Sequence, residues 1–248
     1  MMKIWNVFCI LCSFVIVLSG CTHQEKVKQP KKQAIPETNE YGGIQLTKVG
    51  QEIKEKNWGT LKLEQIKHVN ETFTVGTMKI YVENVRVITL SNMEDETKET
   101  LKMYTKLSPE EVQSRLGKTM DQAEAEWYAS LSGQDIGDTA KYVEITYKVE
   151  NTGDKEMQFF SMNDVTVNET QQFHVPTKNF LYAEDTLVGT KSVSREDYSS
   201  GETREGLIGL LLSDNHEKVN TVSFITDVLA IGGTHEKIAE PQTFTISL

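Results

Sequence analysis

Lys141-Tyr142-Val143-Glu144-Ile145-Thr146-Tyr147-Lys148-Val149-Glu150-Asn151-Thr152-Gly153-Asp154 decides the fold class of this chain of 248 residues. Val143, Ile145, Tyr147 and Val149 fall on one face of the run; Tyr142, Glu144, Thr146 and Lys148 fall on the other. A period of two is the mark of a half-buried β-strand, because successive side chains leave a pleated backbone on opposite sides. Asn151-Thr152-Gly153-Asp154 then supplies residues that favour a turn. Phe159 to Val167 resumes the strand pattern on the far side.

The same rhythm extends outward. Phe244, Ile246 and Leu248 alternate with Thr243, Thr245 and Ser247, and Val222 and Phe224 form another inward pair. Leu207 to Leu212 is an uninterrupted apolar run, approached through Gly201 and Gly206, and reads as a central strand buried on both faces. In Met78 to Leu90 the apolar set sits on even numbers (Met78, Ile80, Val82) and then on odd ones (Val85, Val87). A strand changes phase only by taking in an extra residue, so a β-bulge or bend is expected near Glu83-Asn84. Short strands separated by turn residues predict an all-β fold, an Ig-like antiparallel β-sandwich. The β-α-β alternation of a solute-binding protein and any fixed repeat are missing from the sequence.

One stretch breaks the rhythm. Ser108-Pro109-Glu110-Glu111 places a capping residue, a proline at the first helical position and a glutamate three residues after the cap. Val112, Leu116, Met120, Ala123, Trp127 and Leu131 then recur at helical spacing, with Gly117 dividing the stripe and Ser132-Gly133 closing it. Glu94-Asp95-Glu96 ahead of it reads as an exposed loop. Residues 91–138 are therefore expected to be a partly helical insertion between strands.

The N-terminus carries an address. Lys3 precedes an apolar run from Ile4 to Leu18, the order of a secretory signal peptide, and the run is too short for the ~20 residues a membrane-crossing helix needs. Leu18-Ser19-Gly20-Cys21 resembles the lipobox of bacterial lipoproteins. That resemblance implies cleavage before Cys21, a diacylglyceryl group on its thiol and acyl chains of the palmitate type. Two acyl chains suffice for lasting anchorage where one does not. Cys9 and Cys12 would leave with the leader, so disulfides and cysteine-held metals are not expected in the mature chain. Residues 21–43, with Lys26, Lys28, Lys31, Lys32, Pro30, Pro36 and Gly42-Gly43, read as a flexible tether. Its lysines suit anionic headgroups as well as they suit a solvated linker. The layout expected is a leader over 1–20, a lipidated Cys21 with its tether to 43, and the β-sandwich over 44–248. A mature chain of 228 residues can build a core without staples. Loss of Lys3 takes the formal charge from −10 to −11, which does not favour nucleic acid.

Tyr142–Asp154 also resembles the strand-and-turn signature of Ig-like lipoprotein domains common in Gram-positive bacteria. This family is often titled after a telomeric repeat-binding factor and is of unknown function. Its pattern continues here in Met157–Val167, Ser200-Gly201-Glu202 and Gly206–Leu212, so the likeness covers roughly 70–248. The 91–138 insertion is longer than the connection the resemblance implies. The family carries no catalytic residues to transfer.

Patterns that carry chemistry are mostly absent from the sequence. His23, His68, His174, His216 and His235 lack a metal-ligand spacing. No Gly-x-Ser-x-Gly elbow occurs, and Ser192, Ser194, Ser199 and Ser200 sit in a polar loop. Glu124 and Glu126 are two apart on a helix and point to different faces. Asp135 and Asp138 are the best calcium candidates, without the twelve-residue loop pattern. Gly232-Gly233 alone makes no phosphate loop. No cofactor is expected. The stripe around Trp127 is expected to pack the insertion against the sandwich; the alternative is a docking helix with Trp127 and Tyr128 as candidate partner-binding anchors, since aromatic side chains dominate interface energetics. The reading is a non-enzymatic lipoprotein on the extracytoplasmic face of the cell membrane, held by lipid on Cys21 and binding a protein or envelope partner. Its rivals are a cell-envelope enzyme with a site assembled from distant residues, and a lipoprotein capturing a metal or small ligand.

Overall fold

The alternating run at 141–149 lies inside a thirteen-residue strand, Thr139–Asn151, at the heart of a six-stranded sheet. The computed structural model describes residues 34–116, 120–181, 196–216 and 218–248. Along the chain come β1 (Glu37–Thr38), β2 (Glu52–Glu55), β3 (Gly59–Val75) and β4 (Met78–Ser91), then α1 (Asp95–Thr105), α2 (Pro109–Leu116) and α3 (Gln122–Leu131). Next are β5 (Thr139–Asn151), β6 (Met157–Phe159), β7 (Asp164–Val167), β8 (Gln171–His174) and the one-turn helix α4 (Val175–Lys178). β9 (Glu196–Tyr198), β10 (Thr203–Leu211), β11 (Thr221–Ile225), β12 (Leu229–Ile231), β13 (Lys237–Ala239) and β14 (Thr243–Ser247) follow. The protein is mostly β, in three sheets of order β1-β2-β3-β4-β5-β10, β14-β11-β7-β8 and β13-β12-β6-β9.

The long hairpin β3–β4 turns at Gly76, whose φ of +55° suits a residue without a Cβ. β4 slips register against β5 between Val82 and Asn84, so Glu83 is the extra residue foreseen from the phase change. The slip keeps Met78, Ile80, Val82, Val85 and Val87 on one face. There they share a core with Val143, Ile145, Tyr147 and Val149 of β5 and with Val165, Phe224 and Ile246 of the second sheet. Burying each such side chain contributes about 1.5–3 kcal/mol.

The other face of the six-stranded sheet is also covered. Leu61, Leu63, Ile88, Leu90 and Tyr142 meet Tyr41, Leu46, Ile53, Leu101 of α1, Phe180 and Leu181 in a second core. This explains why Tyr142–Ile145 is buried without a break, although its sequence alternates.

Several expectations are corrected. The Leu207–Leu212 run is buried on both faces, yet β10 is an edge strand rather than a central one. Its outer rim is closed by Asn179, which accepts from Gly209 N–H at 2.8 Å and donates to Leu207 C=O at 3.1 Å, and by Phe180 N–H donating to Gly209 C=O at 3.1 Å. Glu94-Asp95-Glu96 is no loop: Asp95 and Glu96 form the first turn of α1, where acids suit the helix dipole. The folded body begins at Ile35 rather than after Gly43. Lys54 N–H donates to Pro36 C=O at 2.7 Å, and Tyr41 is 2% exposed. The tether's lysines, Cys21 and the leader lie outside the described residues.

Candidate functional site

The segment 41–46 owes its place to a buried polar cluster. Arg86 interrupts the apolar run Val85–Leu90 and points to the second core, with Glu144 beside it on β5. Its Nη1 donates to Glu144 Oε1 at 2.7 Å and its Nε to Leu46 C=O at 3.2 Å. Tyr41 Oη donates to the other carboxylate oxygen of Glu144 and lies 2.7 Å from Tyr142 Oη. Glu55, at the end of β2, accepts from Gly42 N–H at 3.2 Å. Burial pushes the Glu55 carboxyl up to about 7, the Gly42 N–H opposing it. Burial likewise raises Glu144 against the pull of Arg86 and Tyr41, and raises both tyrosines further above their usual range. A Cβ on Gly43 would collide with Tyr41 Oη and with the Glu144 carboxylate, so only glycine lets the chain pass this close. All these groups are nearly sealed from solvent. The arrangement clasps the N-terminal segment onto the sheet; a cavity of about 210 Å³ beside it is lined by Arg86 but by neither Glu144, Glu55 nor the two tyrosines.

Of the cavities beside the described residues, one of about 710 Å³ opens between the first turn of α2 and the outer face of the β14-β11-β7-β8 sheet. Its wall is Ser108, Glu110 and Glu111; its floor is Asp164, His174, Thr166, Gln172, Phe173 and Ile225. The capping box read from the sequence shapes the wall: Ser108 N–H donates to Glu111 Oε2 at 2.6 Å, and Glu111 N–H donates to Ser108 Oγ at 3.2 Å. Glu110's own backbone N–H and the Ser108 hydroxyl hold its carboxyl below the usual range. On the floor, His174 Nδ1 lies 2.9 Å from Asp164 Oδ1, and Asn163 Nδ2 donates to Asp164 Oδ2 at 2.7 Å.

The helical insertion places Trp127 and Tyr128 outside. The expected buried stripe through Ala123, Trp127 and Leu131 is turned away from the body: Trp127 is 57%, Tyr128 40% and Leu131 63% exposed, while Ala125 and Ala129 are buried. Small residues let α3 sit close, and the large ones face solvent. The two aromatic rings meet edge to face with centroids 4.8 Å apart. Val112 of α2 is buried as expected, and Gly117 lies outside the described residues.

The remaining candidates are accounted for by local structure. Asp135 pairs with Lys102, and Asp138 lies 3.6 Å from Lys98, so both brace α1. His68 meets Asn84, and His235 meets Gln158. Ser200 Oγ donates to Gly153 C=O at 2.6 Å, closing the Asn151–Asp154 turn, while Ser192 and Ser194 fall outside the described residues. Among the described residues no three His, Cys, Asp or Glu side chains could hold a metal ion together, and no helix is long and apolar enough to cross a membrane. Sequence reasoning missed Tyr41, Glu55 and Arg86. A lone arginine inside Val85–Leu90 was the one signal that pointed to them.

No family model matches the chain, and no curated protein matches it. Among solved structures it is similar to a functionally unknown protein from Listeria monocytogenes EGD-e, at 9% identity and a TM-score of 0.42, over 77% of this chain and 88% of that one. It is also similar to a conserved hypothetical protein from Bacillus anthracis, at 11% identity and a TM-score of 0.32, over 71% and 95% of the two chains.

Proposed function

We propose that this chain is a lipid-anchored extracytoplasmic protein, a non-enzymatic interaction module of Ig-like sandwich build that engages a protein partner of the cell envelope. The anchor reading rests on Leu18–Cys21 after the apolar leader. The observation that carries the interaction reading is the outward face of α3, where Trp127, Tyr128 and Leu131 stand exposed on a helix that packs by its alanines. Large aromatic side chains held rigid on a helix are the groups from which interface hot spots are built. The Ig-like build is supported by one core shared between the six-stranded sheet and strands of the other two.

Two measurements test it. Mass spectrometry of the membrane-extracted protein should find a diacylated Cys21 at the N-terminus; an unmodified thiol with Met1 attached removes the anchor. Crosslinking in cells followed by capture should recover a partner with the native chain and lose it with Trp127→Ala/Tyr128→Ala. Equal recovery from both removes the α3 surface.

A further inference from the structure

The sheet β14-β11-β7-β8 ends at β8, and no described strand pairs with the outer side of β8. Its ladder fixes which groups face outward. Val175 N–H donates to Asn163 C=O at 2.9 Å, which puts this pair on a hydrogen-bonded rung of β7–β8, although the Asn163 N–H itself goes to Ile225 C=O; Asn168 N–H donating to Thr221 C=O at 3.0 Å sets the same parity from the β11 side. Bonded and non-bonded pairs alternate along an antiparallel ladder. Val165 and Phe173 are then a bonded pair, while Thr166–Gln172 and Asp164–His174 are not. The backbone N–H and C=O of Gln172 and His174 therefore point away from β7. The His174 C=O is taken by the Thr177 hydroxyl at 3.2 Å. Gln172 is left with a donor and an acceptor aimed outward, the unit that an added strand pairs with.

The cleft of about 710 Å³ lies against this edge, lined by Gln172, Phe173 and His174 on the strand side and by Glu110 and Glu111 on α2. A second cavity of about 300 Å³ shares Glu111, Gln172 and Phe173 and continues along the edge past Thr170 and Gln171. The charges on the cleft are uneven. Lys178 Nζ lies 3.5 Å from Glu111, and His174 lies beside Asp164 and within electrostatic reach of Glu110, so three carboxylates face one lysine and one histidine. Ile225, 36% exposed, adds an apolar patch to the floor. A side chain with an apolar stem and a cationic end suits that combination.

We infer that this cleft takes an extended peptide bearing lysine or arginine, which adds to β8 as a further strand through Gln172 and lays a cationic side chain between Glu110 and Asp164. Strands pair about 4.8 Å apart, and alternate side chains of the added one fall in line with the rows Ser223–Thr166–Gln172 and Ile225–Asp164–His174. The site is separate from the α3 surface, so the failure of either leaves the other standing.

The probe is an acetylated and amidated heptapeptide alternating lysine with threonine, titrated into the full chain in mild detergent. Three further ligands accompany it: the same peptide with glutamate for lysine, the lysine peptide with alternate amides N-methylated, and spermidine. Saturable binding of the lysine peptide is expected, with slowed exchange of the Gln172 amide. The glutamate and N-methylated peptides should not bind. Glu110→Gln and Asp164→Asn should each weaken the lysine peptide about two- to five-fold, as partly exposed ion pairs do. Gln172→Pro removes the outward donor without touching the β7 ladder, and should abolish binding while the circular dichroism and melting temperature stay native. No binding of the lysine peptide overturns the inference. Equal binding of the N-methylated peptide or of spermidine overturns strand addition.

Discussion

Arg86 on β4 and Glu144 on β5 are register partners whose side chains meet at 2.7 Å, 6% and 0% exposed, beneath the segment 41–46. A buried ion pair stabilises little over a well-packed apolar pair, but losing one partner strands a charge. Arg86→Met alone should therefore cost about 3–5 kcal/mol in urea unfolding. Arg86→Met/Glu144→Leu should recover much of that loss. A double variant as unstable as the sum of the two single ones would mean that the pair is not the origin of the cost.

Glu55 gives the fold a pH dependence with a definite sign. Burial raises its carboxyl from 4.5 to about 7. The folded state thus holds this proton more tightly than the unfolded chain does. Its contribution is complete below about pH 4.5 and is lost as pH rises through 7, up to roughly 3 kcal/mol. Tyr142 is the ionisable group that feels its charge, and the raised Glu144, held between Arg86 and Tyr41, acts in the same direction. Glu55→Gln should flatten, without abolishing, the decline in stability between pH 5 and 8. An unchanged slope would show that Glu55 is charged in the folded protein.

Gly43 tests the clasp from the backbone side. Its missing side chain makes room for the Tyr41–Glu144 hydrogen bond. Gly43→Ala must displace one of these groups, at about 1–3 kcal/mol. Hydrogen exchange should then accelerate first at Tyr41–Leu46, since that segment is held through these contacts. Uniform acceleration over the whole body would count against a local clasp.

The β pattern was legible because it depends on nearest neighbours along the strand. Val143 to Val149 and the phase change at Glu83 can each be read from a dozen residues. What covers the second face of the sheet could not be read that way. Tyr142 and Glu144 alternate like solvent-facing residues, and only the return of Tyr41 and Phe180 buries them. The edge position of β10 was hidden for the same reason: Asn179 substitutes for a neighbouring strand, and its partners Leu207 and Gly209 are about thirty residues away. Helix α3 misled through size. Trp127 and Leu131 dominate any apolar stripe, although the face that packs carries only Ala125 and Ala129. The proposed leader and lipidated Cys21 are a reading of the sequence alone, one that involves no packing.

That inversion of α3 yields the sharpest contrast between neighbouring positions. Trp127 and Tyr128 lose little on truncation, because more than a third of each is in water and their mutual edge-to-face contact contributes only about 0.5–1.5 kcal/mol. Trp127→Ala/Tyr128→Ala should therefore melt within a few degrees of the native chain while losing capture of the envelope partner. Ala125, two residues before Trp127 and so on the opposite side of the helix, is 0% exposed. Ala125→Leu forces three extra carbons into a closed contact and should cost about 1–3 kcal/mol. Thermal unfolding of the two variants in parallel distinguishes the orientations. If the aromatic pair proves the costly one and Ala125→Leu is silent, α3 packs by the opposite face, and its aromatic surface is core rather than docking site.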